Sequence, residues 1–298
     1  MSVPVDLRLA IGGLQTTLQR SVRLVAIGLR ATLDPAASEA GLPNVTMGIQ
    51  FSPAETWTHD QARQEFGTWL LTNGFRDVSE GIGTFLEGVR QVLAFWAITN
   101  YGKGPTSIDG EEWNEKLVRE AKKFHGAGLP DKLAVLSEQF GLVLPPLVTR
   151  QILSFNAARN CLVHRQGVVA TRDLGGELQL SVAWVKVSLV ATDQHGEREL
   201  VPEMGVEGGG TITGRQSVVQ RTFEKGERIQ FSAQEFAEIC FALFSFGSTT
   251  VVLAEEVGRA KGVTFVPPSE GCNITCAEPV GRSADCSLRS RLFDSLAG

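Results

Sequence analysis

Apolar residues recur along most of this chain at intervals of three and four, the spacing that lines one face of an α-helix. Over residues 6–33, Leu7, Leu9, Leu14, Leu18, Val22, Val25, Ile27 and Leu29 follow it roughly, and Pro35 stops the run. Two further helices are predicted at about 58–73 and 77–100, the second through Val78, Ile82, Phe85, Leu86, Val89, Val92, Leu93 and Trp96. The loop "NYGKGPTSIDG" (100–110) precedes "EEWNEKLVREAKKF" (111–124), which starts acidic and ends basic, as the helix dipole favours. A short helix is predicted at 129–141. Pro145 and Pro146 then open another that stops at Gly167. "LPNVTMGIQF" (42–51) fits a short strand or a loop equally well.

After Gly167 the period falls to two. "ELQLSVAWVKVSLVAT" (177–192) alternates as a strand does, "DQHG" (193–196) reads as a turn, and "ERELVPEM" begins the return. "GVEGGGTITG" (205–214) reads as a glycine-rich connection, and "QSVVQRTF" and "ERIQF", joined by "EKG", as a second hairpin. Ser232 and Glu235 form a capping box that opens a long apolar helix to about residue 260. The expected fold class is therefore mainly α, a helical bundle with an antiparallel β-hairpin region inserted before the last long helix. Residues 1–260 are expected to form one domain with the insertion at about 168–231, and 261–298 an irregular tail.

Composition narrows the class. Of 298 residues 43% are hydrophobic and 20% charged, a globular balance, and the net charge of −5 argues against coating nucleic acid through bulk positive charge. The start has no export-signal pattern, and the five cysteines are odd in number, so a reducing cytoplasm is expected. "ICFALFSFGSTTVVLA" (239–254) is short for a membrane span and reads as a buried core helix, so no membrane partner is expected.

One stretch concentrates chemistry. "SFNAARNCLVHRQGVV" (154–169) places Arg159, Asn160 and His164 near the end of an apolar helix. Asn160 and His164, four apart, share a face; Arg159 and His164, roughly 140° apart, would flank a groove without touching. Leu162 and Val163 lie between them and point inward with Ile152, Phe155 and Ala158. In the last turn the free carbonyls favour an imidazolium at His164. Residues 139–172 hold Arg150, Arg159, Arg165 and Arg172 with no Asp or Glu, a local positive field suited to phosphate. A purely structural role fits too: Asn160 and His164 would tie the helix end to the following strand, and Arg159 would pair with Glu80 or Glu87.

"RNCLVH", with its trailing His-x-x-Gly and the strand after it, resembles the signature of the HEPN superfamily, over about residues 77–258. The resemblance implies a bundle of four or five helices, a homodimer with facing motif helices, and, in catalytic members, a metal-independent endoribonuclease of toxin–antitoxin or antiviral defence systems. It implies Arg159 and His164 as the catalytic pair with Asn160 adjacent, RNA as substrate, a protein inhibitor or antitoxin as a further partner, and neither metal nor cofactor. Chemically, His164 would move the proton and Arg159 would hold the phosphate as charge develops. Arg150, Arg165 and Arg172 would add phosphate contacts. Inactive members of the superfamily serve as dimerisation or nucleotide- and protein-binding modules, and that is the alternative reading here.

Other candidates are weaker. Cys161 lies three residues before His164, yet inside an apolar run that predicts a buried thiol. Cys272, Cys276 and Cys286 lack a fourth zinc ligand. His125 sits at a helix end beside Lys122 and Lys123, as a dipole partner or a secondary phosphate contact. His59 and His195 have no partner in sequence. Trp57, Trp69, Trp96, Trp113 and Trp184 are expected in the core rather than as base-stacking platforms.

Overall fold

The computed structural model of the protein describes residues 7–31, 58–99, 110–193, 196–200 and 210–263. The elements run α1 (Leu7–Ala31), α2 (His59–Thr99), α3 (Gly110–Gly126), α4 (Leu129–Phe140), α5 (Pro146–Arg165), a 3-10 turn (Thr171–Asp173), β1 (Leu180–Asp193), β2 (Gly196–Glu199), β3 (Thr211–Phe223) and α6 (Ala233–Ala260). The chain is thus mostly helical, with a three-stranded antiparallel sheet, order β2-β1-β3, before its last helix. The described residues divide into two compact units, those within Met1–Lys186 and Val218–Val263 forming the first and those within Val187–Ser217 belonging to the second.

In the first unit α2 is the central element, packed on α1, α5 and α6. Phe75, at its middle, is fully buried and stacks on Phe155 of α5 at 5.1 Å and on Phe231 at 5.6 Å, with Phe236 of α6 also at 5.6 Å. Trp184 of β1 and Phe223 of β3 meet Phe231 edge-on, so one aromatic cluster joins helices to strands. Ser154 of α5 fastens β1 as well: its hydroxyl accepts the Ala183 N–H at 3.1 Å. The apolar stripe of α1 is half realised, since Leu7, Leu14, Leu18 and Val25 are buried while Leu9 and Ile27 are 71% and 67% exposed.

The two helices predicted at 58–73 and 77–100 are one helix of 41 residues. Gly74, in the gap between the two predicted spans, is a packing position. A Cβ built there would stand 2.7 Å from Val25 Cγ2 and 2.9 Å from Phe236 Cζ, so only glycine lets α1 and α6 approach this closely. The second predicted hairpin is also absent. "QSVVQRTF" extends back through Thr211 as β3 beside β1, taking in the end of the glycine-rich stretch, while 227–231 makes only the bridge Val168↔Arg228. In the second unit β1 and β2 pair from Val190↔Glu199 to Asp193↔Gly196.

α6 opens as expected, with Ser232 Oγ accepting the Glu235 N–H at 3.1 Å and Glu235 accepting the Ser232 N–H at 2.8 Å. It is the one helix among the described residues long and apolar enough to cross a membrane. Phe236, Ile239, Leu243, Phe246 and Thr250, at helical spacing along it, are buried. The expectations for 42–51, the loop at 100–109, His195, 201–209, Trp57, the Trp113 side chain, Cys272, Cys276, Cys286 and the tail beyond 263 fall outside the described residues.

Candidate active site on the last turns of helix α5

Pro146 starts α5, where its missing N–H costs nothing, and the helix ends in two left-handed residues, Gln166 (φ 53°) and Gly167 (φ 78°). Gly167 was the expected stop. Gln166, one position earlier, is the one non-glycine residue with positive φ among the described residues, a conformation that costs of order 1 kcal/mol or more. The chain beyond is pinned at once. Gly167 O accepts the Ile229 N–H at 2.8 Å, the Val169 N–H donates to Glu227 O at 2.9 Å, and Val169 O accepts the Gly226 N–H at 2.9 Å. These bonds fix the helix end that carries the motif.

Phe155, Arg159, Leu162 and Gln166 fall at i, i+4, i+7 and i+11, one face of α5. That face looks toward α2, since Phe155 stacks on Phe75 and Leu162 and Gln166 line a cleft with α2. Arg159 therefore leaves α5 on the α2 side. Its Nη1 lies 3.1 Å from Asn160 Oδ1 and 3.3 Å from His164 Nε2. The expectation that Arg159 and His164 do not touch is thus corrected, because the long arginine stem spans the angle between them. A guanidinium only donates, so this contact is a hydrogen bond only where Nε2 presents its lone pair and the imidazole proton sits on Nδ1, in place of the imidazolium the helix end was expected to favour. Asn160 thus accepts from the guanidinium through Oδ1. Arg159 Nε is buried without a partner among the described residues. Neither Glu80 nor Glu87 takes Arg159: Glu87 accepts instead from His125 Nδ1 at 2.7 Å and Lys132 Nζ at 3.4 Å.

The other arginines do not converge on this pair. Arg165 is engaged by Asp173: Nε donates to Oδ2 at 2.7 Å and Nη2 to Oδ1, and both side chains are largely buried. Asp173 also accepts the Ala170 N–H at 2.8 Å, so this ion pair clamps the turn after the helix. The acid-free window ended one residue short of this partner. Arg150 is exposed but nine residues before Arg159, on roughly the opposite face of α5. Arg172 is exposed in the 3-10 turn. Cys161 is fully buried, and burial pushes its thiol up to about 11, with Asp173 adding to the rise and Arg165 opposing it. A thiolate nucleophile beside His164 is disfavoured on that ground.

The tryptophans divide. Trp184 is buried and its Nε1–H donates to Glu238 Oε2 at 3.1 Å, as a core residue should. Trp69 departs from the expectation: it is 59% exposed and stacks on Phe66, itself 43% exposed, with ring centres 5.8 Å apart and planes 11° from parallel. The pair forms a wall of the α2–α5 cleft of about 460 Å³. The buried side of α2 here is Thr68, Leu71 and Phe75, which leaves 66 and 69 outside the core stripe; that offset was the available signal.

No family model matches the chain, and neither does a curated protein or a solved structure.

Proposed function

We propose that this chain is a HEPN-like, metal-independent endoribonuclease with Arg159 and His164 as its catalytic pair. The observation that carries the reading is the contact of Arg159 Nη1 with His164 Nε2 at 3.3 Å, with Asn160 bracing the same nitrogen. A neutral imidazole and a fixed cation side by side are what cleavage by the RNA's own 2′-hydroxyl requires. His164 Nε2 takes the 2′-hydroxyl proton, O2′ attacks phosphorus, the P–O5′ bond breaks, and the products are a 2′,3′-cyclic phosphate and a 5′-hydroxyl. Arg159, released from the imidazole as substrate enters, turns its planar fork of donors to the phosphate oxygens as charge builds there. Each chain supplies one motif histidine, so a homodimer with facing α5 ends would provide the second proton-transfer group, for the O5′ leaving group. Arg150 and Arg172 remain available to more distant phosphates, whereas Arg165 serves the fold.

The test is cleavage of a mixed RNA pool in excess EDTA by the parent and by His164→Ala. Cyclic-phosphate ends formed by the parent and absent with the variant are the expected result. Equal cleavage by both, or none by either while both are folded, ends the reading. In the second case the non-catalytic binding module takes its place.

A further inference from the structure

The Phe66–Trp69 wall is not explained by folding. A single exposed aromatic is ordinary, but two stacked rings lining a concave space are not. The rings face residues of the motif helix: Val163 and Gln166 line the opposite side of the cleft. Val163 is the immediate neighbour of His164 and lies one turn after Arg159, so the cleft lies next to the motif along α5, although neither Arg159 nor His164 lines it. Gln166 brings an amide with both donors and an acceptor, held there by its left-handed backbone.

We propose that this cleft is a base subsite, in which an unpaired nucleobase of single-stranded RNA stacks on Trp69 while the adjoining phosphate lies on Arg159. The assignment deepens the nuclease reading and rests on it for the position of the phosphate. Charge supports it. Arg76 lies seven residues along α2 from Trp69, about 20° short of two full turns, so it extends from the same side of the helix. It is exposed and has no carboxylate partner among the described residues. A strand whose base sits at Trp69 thus finds cations at Arg159 and, about 10 Å along α2, at Arg76. A duplex does not fit this arrangement, because its bases offer edges and not faces to a helix-walled cleft. Stacking tolerates any base, so Gln166 is the residue placed to read the edge of the one bound.

The test measures binding of a short labelled oligouridylate by fluorescence anisotropy in EDTA, using the full chain carrying His164→Ala so that the probe stays intact. Adding Trp69→Ala is expected to weaken binding about ten-fold or more, with Trp69→Phe retaining most of the affinity. Melting temperature and sedimentation should be unchanged, because Trp69 lies outside the core. Unchanged affinity in Trp69→Ala overturns the subsite, even if His164-dependent cleavage stands. A loss of affinity that tracks a change in oligomeric state also overturns it, and makes the aromatic pair a contact between copies. Trp69-dependent binding by a protein that never cleaves RNA keeps the subsite and ends the nuclease reading. A parent protein that binds no oligonucleotide ends both.

Discussion

At the residue scale the site depends on what Arg159 can reach. Lysine at 159 would keep the charge but offer a single ammonium, which cannot hold Asn160 Oδ1, His164 Nε2 and a phosphate in turn as a planar fork can. Arg159→Lys should therefore lose most of what Arg159→Ala loses, about 10²-fold in kcat with little change in KM, measured on one RNA substrate. Recovery of near-parent kcat by lysine would show that only charge matters there. Cys161 gives the pH prediction. Its folded-state value, about 11, lies above its ordinary 9.0, so the fold favours the neutral thiol. The stabilisation is fully present below pH 9 and is lost as pH rises toward 11, an effect of about 2 to 3 kcal/mol. Chemical denaturation at a series of pH values should show a steeper decline over that window for the parent than for Cys161→Ala, while RNA cleavage near neutral pH survives the substitution. As a candidate cluster, Arg159, Asn160 and His164 were legible from spacing. Their contact was not, because backbone angles ignore side-chain reach, and neither was Asp173, which lies one residue outside the arginine-rich window.

Elements were legible wherever one face is buried along its whole length, as in α5 and α6. The sequence failed where a glycine has two opposite meanings. Gly74 lies in the gap between two predicted helices, yet in α2 it is the point where Val25 and Phe236 press on the backbone. Strand partners were obscured for a different reason: alternation shows that 216–223 is a strand, but not that its neighbour is β1 instead of the nearer 227–231. The two kinds of glycine can be separated by experiment. Replacing an ordinary helical glycine by alanine stabilises by up to about 1 kcal/mol. Gly13 of α1, where an added Cβ meets nothing within 4 Å, should behave so. At Gly74 the added methyl meets a stiff, buried valine and a buried ring, and overpacking of about 1 to 3 kcal/mol outweighs the propensity gain. Thermal unfolding should move in opposite directions for Gly13→Ala and Gly74→Ala. A rise in both would mean that the α1–α2–α6 junction has slack.

At the scale of the whole molecule, the proposed reading gives a single α5 end one base subsite and one cation, and the proposed reaction needs a second proton donor for the leaving O5′. A net charge of −5 supplies no general attraction for RNA, so on that reading affinity would come from the α5 end, its cleft and whatever a second copy adds. If two copies complete one site, the active species is the dimer and its population depends on concentration. Cleavage per chain should then be constant at high protein concentration. It should fall on dilution, with a midpoint equal to the dimer dissociation constant measured by sedimentation in the same buffer. Salt should weaken RNA binding without moving that midpoint by the same factor, since phosphate contacts release counterions and apolar contacts between copies do not. A rate per chain that stays flat through the dissociation midpoint would assign both proton transfers to one chain. His164 would then work with solvent or with a second group of its own chain, and the Arg159–His164 pair would be a complete site without a partner.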